Sequence, residues 1–412
     1  MNENVNRSAL FLGSCFALIT TAFTFSIRAG ILPQLGEEFG LSAEQLGFIN
    51  SMWFLGFPIS MIIGGLVYHT FGPRNIMMVA FVAHTIGILM TIFAGGYSTL
   101  LISTLLIGIG NGCTEAACNP MIADMYSGDK MNKMLNRFHM WFPGGILLGA
   151  LISKFMTDLG FSWEAQMWVT MVPTVIYAVL FFGKTFPQPQ VEGATSLGQN
   201  FKAMLTPLYI FLFVCMALTA ISEFGPNQWV NVILSSSGAE PMIILALTSG
   251  LMAVGRFFAG PVVSSLGQTG VLLISAVLAT IGIYLFSTVT GPMAYVATVF
   301  FALGVCYFWP VMVGSVAQRV PLSSALGMSV IGGVGMFSTS IFQPIIGNWI
   351  DDARAANTAQ GLTGNALELA AGQDTLEKMI AFPAILIVLF TILFFWQKNS
   401  KRTKEMEMAA VH

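Results

Sequence analysis

The chain has 412 residues, of which 55% are apolar and only 9% are charged, against about 25% charged residues in ordinary soluble domains. Apolar runs recur along its whole length, each close to the ~20 residues that cross a bilayer as a helix, so the composition excludes a series of soluble domains. The net charge of −2 argues against nucleic acid as a partner.

Sequence motifs of metal, nucleotide and enzyme chemistry are missing. The five cysteines fall in apolar runs, without a Cys-x-x-Cys or His/Cys cluster, so no metal site is expected. A Gly-x4-Gly-Lys-Ser/Thr loop is also missing, so ATP is not the expected energy source. We therefore expect no cofactor and no enzymatic activity.

Twelve membrane-spanning segments are predicted, six on each side of a Pro-, Gln- and Gly-rich stretch. They lie near 9–33, 45–69, 75–94, 99–124, 135–156, 164–184, 207–234, 241–265, 269–289, 293–317, 325–350 and 378–397. The division predicts an N-terminal six-helix bundle at 1–184, a cytoplasmic linker at 185–206, and a C-terminal six-helix bundle with a short cytoplasmic tail at 207–412. The remaining long loop, 351–377, is expected to hold a short helix around Ala366–Ala371.

The distribution of positive charge predicts the orientation. With the N-terminus in the cytoplasm, the inner segments hold Arg7, Arg74, Lys130, Lys133, Arg137, Lys184, Lys202, Arg319, Lys398, Lys401, Arg402 and Lys404. The outer segments hold Lys154, Arg354 and Lys378. Twelve against three predicts a multi-pass protein of the cell (inner) membrane with both termini in the cytoplasm.

A constant offset of 195 positions relates the two halves of the sequence. It maps Arg28 to Glu223, Gly30 to Gly225, Gly65 to Gly260, and Gly72 to Gly267. The offset indicates a duplicated six-span unit, with opposite charges at corresponding positions of the first and seventh spans.

Parallel repeats of six spans, each holding inverted repeats of three, are the architecture of the major facilitator superfamily. The loop from Gly65 to Arg74 resembles that superfamily's loop between spans two and three, with His69 in place of the usual Asp and Pro73 in place of an Arg. The resemblance implies an all-α membrane protein, with twelve transmembrane helices in two pseudo-symmetric six-helix bundles (the major facilitator fold).

The same loop and its repeat supply the candidate gate. The glycines permit tight turns and close helix contact, and Arg74 can pair with a carboxylate at the end of span four. The candidate gating residues are Gly65, Gly72, Arg74, Asp124, Gly260 and Gly267. The alternative is that the positive residues are membrane anchors without coupling.

Two spans carry a polar residue at every fourth position, which forms a stripe along a helix. Span seven has Thr219, Glu223, Asn227 and Asn231, and span four has Asn111, Glu115 and Asn119. A carboxyl group inside a membrane is a functional-site hypothesis by default. Glu115 and Glu223 are therefore candidate proton carriers, with a structural hydrogen bond as the alternative for Glu115.

Spans four and ten also resemble the fucose–proton symporter group of the superfamily. Glu115-Ala-Ala-Cys-Asn119-Pro120 is close to that group's Glu-x-Ala-x-Asn-Pro, and Tyr307-Phe-Trp309-Pro310 is similar to its aromatic-Pro element. This resemblance implies a neutral sugar as solute.

Arg28 departs from that group, which tends to carry an acid on span one. An Arg followed by Gly-Ile-Leu-Pro33 resembles the superfamily's organic anion symporters instead, and implies an arginine that binds the anion. Guanidinium binds carboxylate bidentately and keeps its charge when desolvated. The alternative is that Arg28 only pairs with Glu223, its repeat image.

The remaining candidates have weaker support. His139 can relay protons near neutral pH or only pack among aromatics. Arg256 is expected to form a structural pair or to extend its charged end towards the membrane surface. The candidate solute-binding residues are Arg28, Asn111, Glu115, Asn119, Glu223, Asn227, Gln228, Tyr307 and Trp309. Tyr307 and Trp309 can stack on a sugar ring, or be ordinary packing residues.

These features predict a secondary active transporter that imports a small polar solute by proton-coupled symport through alternating access. The solute is a sugar, or a sugar acid or other organic anion, and Na⁺ is the second candidate for the coupling ion. An exporter or antiporter of amphipathic compounds and a non-transporting membrane sensor are the alternatives. The expected partners are the solute and the lipid bilayer, and the protein is expected to be a monomer.

Overall fold

The computed structural model describes residues 5–188 and 197–410, and within these ranges every regular element is helical. The first half contains α1 (Arg7–Phe39), α2 (Ala43–Ile92), α3 (Tyr97–Met125), α4 (Gly128–His139), α5 (Trp141–Asp158) and α6 (Trp163–Phe181). The second half contains α7 (Leu197–Met204), α8 (Pro207–Ile233), α9 (Pro241–Phe257), α10 (Ala259–Thr288), α11 (Met293–Val305), α12 (Phe308–Arg319), α13 (Ser324–Ala359), α14 (Gly364–Met379) and α15 (Ala381–Ala410). A single 3-10 turn, Pro321–Ser323, precedes α13.

The described helices make twelve crossings of a bilayer, six in each half, as predicted. Ten helical stretches are long and apolar enough to cross, and α2 crosses twice because it bends at Gly72. The shorter apolar helix α9, with 17 residues, supplies the remaining crossing. Residues 189–196 of the predicted linker lie outside the described ranges, so the division at 185–206 stays a prediction.

The two bends confirm the 195-residue repeat at the level of the backbone. Gly72 has φ 78° and ψ 155°, and Gly267 has φ 69° and ψ 157°. Positive φ is strained for residues with a Cβ, so each glycine turns the chain between two crossings in the same way. The close helix contact expected at Gly65 and Gly260 is not found: a Cβ built at either position meets no described atom within 4 Å.

The region 351–377 is mostly helical rather than a loop. α13 continues to Ala359, and α14 covers Gly364–Met379, which extends the short helix expected around Ala366–Ala371. Alanine, leucine and glutamate favour helix, and Arg354 holds the two helices together through an ion pair with Glu368 at 2.7 Å.

The halves meet tightly at the end of the molecule where α1 ends and α2 begins, which we call the closed end. The backbone N–H groups of Ala43 and Glu44 donate to the carboxylate of Asp351 at 3.1 and 2.9 Å. Asp351 of α13 therefore caps α2 from the opposite half, where the helix dipole favours a negative charge. Glycine at 47 and 347 lets the backbones of α2 and α13 touch.

We expect Asp351→Ala to loosen the closed end. A lost helix cap costs about 1 kcal/mol, so the open population of this contact should rise roughly fivefold. The probe is Ser340→Cys, since Ser340 is buried and bonds to Ser51 across the halves at 2.9 Å, and the natural cysteines are all buried. A water-soluble maleimide should alkylate the cysteine at position 340 faster when Asp351→Ala is also present than in Ser340→Cys alone. Asp352→Ala, at the exposed neighbouring position, is the control; equal rates in the two variants would show that the cap does not hold the closed end.

Candidate functional site

A buried arginine lies between the repeat-related helices α1 and α8. The Arg28 side chain is 5% exposed, and its Nη2 donates to Oε1 of Gln228 at 3.0 Å. Its guanidinium lies over the ring of Trp53, 5.3 Å from the centroid. About one turn further on, Asn231 of α8 donates to the backbone oxygen of Gly30, which fixes the two helices against each other. We call Arg28 and Gln228 the clamp.

Several buried polar atoms of α1, α2, α8 and α13 have no hydrogen-bond partner among the described residues. They include two donors of the clamp, Nε of Arg28 and Nε2 of Gln228, and one acceptor, Oε2 of Glu223. Asn50 on α2 and Gln343 on α13 are fully buried with both amide atoms unpaired. Unpaired buried polar groups are costly. The unpaired donors of Arg28 and Gln228, at the contact of α1 with α8, indicate a site for an acceptor group of a ligand.

Glu223 pairs with Arg256 of α9, at 3.6 Å, and not with Arg28. Arg256 is held by a hydrogen bond from its Nε to the backbone oxygen of Cys306 at 3.0 Å. The Arg28–Glu223 pair, which was the alternative to an anion-binding role for Arg28, is therefore not found in this structure. Glu223 and Gln228 are five residues apart, which puts them about 140° apart around α8, so one faces α9 and the other faces α1. Arg256 has the structural pair that its position predicted.

A narrow cleft lies beside the clamp. It is lined by Phe25, Phe142, Pro143 and Ile146 of the first half, and by Glu223, Phe224, Asn227, Leu245, Ser249 and Met252 of the second. Arg28 and Gln228 do not line the cleft, but Arg28 follows Phe25 and Gln228 follows Phe224 by one helical turn, so the clamp is one turn away on the same helix faces. The rings of Phe25 and Phe224 are 5.9 Å apart, and Trp309 packs on Phe224 at 6.1 Å.

A chain of hydrogen bonds runs from the clamp into the first half. Trp53 Nε1 donates to Thr24 Oγ1 at 3.1 Å, and Asn111 Nδ2 lies 3.5 Å from the same oxygen. Asn111 Oδ1 is 2.9 Å from His84 Nε2, and His84 Nδ1 is 3.0 Å from Tyr177 Oη. The imidazole can therefore donate to the asparagine and accept from the tyrosine. This network fixes the indole that faces Arg28.

We expect Thr24→Val to destabilise the first half more than the same change at Thr21. Valine at 24 leaves the donors of Trp53 and Asn111 without their acceptor, at about 1–3 kcal/mol for each unsatisfied group. Thr21 is equally buried, and its hydroxyl bonds only to Ala17 of its own helix, at 3.4 Å. Thermal unfolding in detergent should show a Tm several degrees lower for Thr24→Val. The interpretation of the network is wrong if the two variants melt together.

The structure brings four of the predicted site residues to the clamp and cleft: Arg28, Glu223, Asn227 and Gln228. A fifth, Trp309, packs on Phe224 of the cleft lining. Asn111 instead belongs to the buried network. Glu115 and Asn119 bond to each other along α3, and Tyr307 donates to the backbone oxygen of Gly255 at 2.9 Å. His139 is exposed at the end of α4.

Among the gating residues, Asp124 accepts a hydrogen bond from Tyr68 Oη at 2.7 Å, and Arg74 is exposed. Their pairing stays a prediction. Sequence reasoning missed Trp53, Asn50 and Gln343. The two amides stand alone in apolar runs, and that isolation was a signal that could have found them.

Twelve crossings in two repeated halves around a buried polar site define a membrane transport protein. The Major Facilitator Superfamily model matches residues 14–344, so the chain belongs to this superfamily of transporters and is not an enzyme. Its fold is similar to that of a solved bacterial homolog of the human lysosomal transporter Spinster, in an inward-facing and unoccupied conformation. The TM-score is 0.77 at 16% identity, over 95% of this chain and 97% of that one.

Two curated relatives align over most of the sequence. The hexuronate transporter of Bacillus subtilis (strain 168) is 24% identical over 333 residues, 74% of this chain and 77% of the relative. The 3-(3-hydroxy-phenyl)propionate transporter of Escherichia coli (strain K12) is 21% identical over 293 residues, 68% of this chain and 72% of the relative. These likenesses agree with a transporter of small solutes.

Proposed function

We propose that the protein is a secondary active importer that carries a small organic anion together with protons. The observation that carries this proposal is the clamp: a buried guanidinium between the halves, with Nε of Arg28 and Nε2 of Gln228 both unpaired. A carboxylate has two oxygens that accept such donors in a bidentate arrangement. An anion would also offset the charge of Arg28, whose one polar side-chain contact among the described residues is the neutral amide of Gln228.

Two of the relatives support an anion as the solute. Hexuronate and 3-(3-hydroxy-phenyl)propionate, the solutes for which the two relatives are named, are both carboxylates. The rest of the two molecules differs, so the carboxylate is the group that they share, and it is the group that Arg28 would bind in this protein.

We assign proton coupling to Glu223, with H⁺ as the coupling ion. Its carboxyl lines the cleft, and its Oε2 is unpaired while Oε1 faces Arg256 at 3.6 Å. A buried carboxylate needs a cation nearby, and a carboxylic acid does not. Movement of Arg256 away from Glu223 would therefore favour proton uptake. Glu115, bonded within its own helix, and the exposed His139 are less suited to this role.

Alternating access would follow from the contacts between the halves. The Asp351 cap and the clamp both join the first half to the second. Opening of the closed end would release the cap and widen the clamp, while the cleft closes from the other side. In this proposal the protein works as a monomer in the inner membrane, with both termini in the cytoplasm.

The test is uptake into proteoliposomes under an imposed inward proton gradient. The solutes are matched pairs, each a carboxylic acid with its uncharged amide or alcohol. Accumulation of acids above their neutral partners, abolished by a protonophore, is the expected result. Gradient-driven uptake of neutral solutes alone would overturn the anion proposal, and acid uptake that follows a Na⁺ gradient instead would overturn the assignment of the proton.

A further inference from the structure

The side chains that line the cleft indicate the chemical character of the solute apart from its carboxylate. Resting on the proposed function, we propose that the transported anion is a monocarboxylate with an aromatic or otherwise apolar ring, and not a polyhydroxylated sugar acid. The carboxylate binds the clamp, and the ring packs against the wall that Phe25, Phe142 and Phe224 form, after movement of the two halves has widened the narrow cleft.

The lining is apolar on both sides. Seven of the ten lining side chains carry no polar group: Phe25, Phe142, Pro143, Ile146, Phe224, Leu245 and Met252. Behind them, Phe54 lies 5.7 Å from Phe224 and 6.2 Å from Phe25, so the wall beside the clamp is a continuous aromatic cluster. Ring pairs at such spacings favour edge-to-face and offset contacts, and an aromatic solute can add one more ring to the cluster.

The polar groups of the cleft are too few for a sugar acid. The lining supplies Glu223, Asn227 and Ser249. One oxygen of Glu223 faces Arg256, and the amide nitrogen of Asn227 donates to the backbone oxygen of Glu223 at 2.9 Å. A hexuronate carries a hydroxyl on almost every ring carbon, and each one buried without a partner weakens binding. Ser249 and Oε2 of Glu223 can satisfy one or two polar substituents on an otherwise apolar ring.

A second, mostly apolar space lies within the second half and shares Asn227 with the cleft. It is lined by Pro226, Asn227, Val230, Ile233, Leu234, Ile244, Thr248, Phe286, Phe301 and Leu376. Enlargement of the cleft in this direction would therefore expose a solute to more apolar surface, which again favours an apolar body.

The experiment compares binding and counterflow of four solutes by the wild-type protein in proteoliposomes: 3-phenylpropionate, benzoate, glucuronate and 3-phenylpropionamide. We expect one or both aromatic acids to bind at least ~30-fold more tightly than glucuronate, since several hydroxyls would be buried unpaired. The amide should bind at least ~30-fold more weakly than its acid. If glucuronate binds as tightly as both aromatic acids or more tightly, this inference is overturned while the anion proposal stands. Binding of the amide as tight as that of its acid would overturn both.

A pair of variants tests the wall directly. Phe142→Asn adds hydrogen-bonding groups to the cleft and should reduce the preference for aromatic acid over glucuronate by ~10-fold or more. Phe142→Leu keeps the wall apolar and should leave the ratio of the two affinities within ~3-fold of wild type. Because a ratio is measured on one preparation, partial loss of folded protein does not alter it. An unchanged ratio in Phe142→Asn would contradict the placement of the ring in this cleft.

Discussion

Arg28→Gln is expected to lower the affinity for the transported acid at least ~100-fold and to abolish its uptake. The change removes the buried positive charge and the Nε donor that the carboxylate would use, and a buried charge-assisted pair contributes several kcal/mol. Arg28→Lys keeps the charge but loses the planar pair of donors, so we expect an intermediate affinity. Equilibrium binding to purified protein, with counterflow in proteoliposomes, measures both effects.

The matched control is Arg137→Gln, which removes one arginine from the exposed end of α4. It should bind and transport as the wild type does. Wild-type affinity in Arg28→Gln would show that the arginine is only a structural partner of Gln228 and Trp53. Equal losses in both variants would indicate a general effect of charge.

Glu223→Gln is expected to separate transport from proton coupling. Glutamine keeps the size and an acceptor oxygen but cannot carry the proton. Counterflow, which needs no net proton movement, should stay within ~3-fold of wild type, while accumulation driven by a pH gradient should be lost. The two assays on one batch of proteoliposomes give the comparison.

Glu115→Gln is the matched control for this prediction. Glu115 also carries a carboxyl group within a membrane-spanning helix, but it lies in the first half and bonds to Asn119 of its own helix. Accumulation should persist in this variant. The opposite pattern, with accumulation lost in Glu115→Gln and kept in Glu223→Gln, would move the coupling carboxyl from α8 to α3.

Much of the fold could be predicted because the bilayer imposes the length of each helix and the duplication repeats the pattern. The 195-residue offset paired Gly72 with Gly267 as turn glycines, and the structure gives the two residues nearly the same backbone conformation. The region 351–377 was underestimated because its polar residues suggested a loop, whereas ion pairs such as Arg354–Glu368 let a charged segment remain helical.

The candidate site was only partly predictable. The offset identified α1 and α8 as corresponding helices, but it says nothing about the direction in which each side chain points. Arg28 therefore meets Gln228, and its repeat image Glu223 meets Arg256. A polar stripe likewise does not say whether its side chains bind a solute or one another. Glu115 and Asn119 share a face of α3 and bond to each other. Asn111 at the next position of that stripe bonds to His84.

The most direct test of the clamp is a crystal structure of the protein with a bromine-labelled aromatic carboxylate, located by its anomalous signal. We expect the carboxylate oxygens within about 3 Å of the Arg28 guanidinium and of Nε2 of Gln228, with the bromine beside Phe224 in the cleft. An anion bound away from Arg28, with the Arg28–Gln228 contact unchanged, would contradict the clamp and the anion-transport proposal that rests on it.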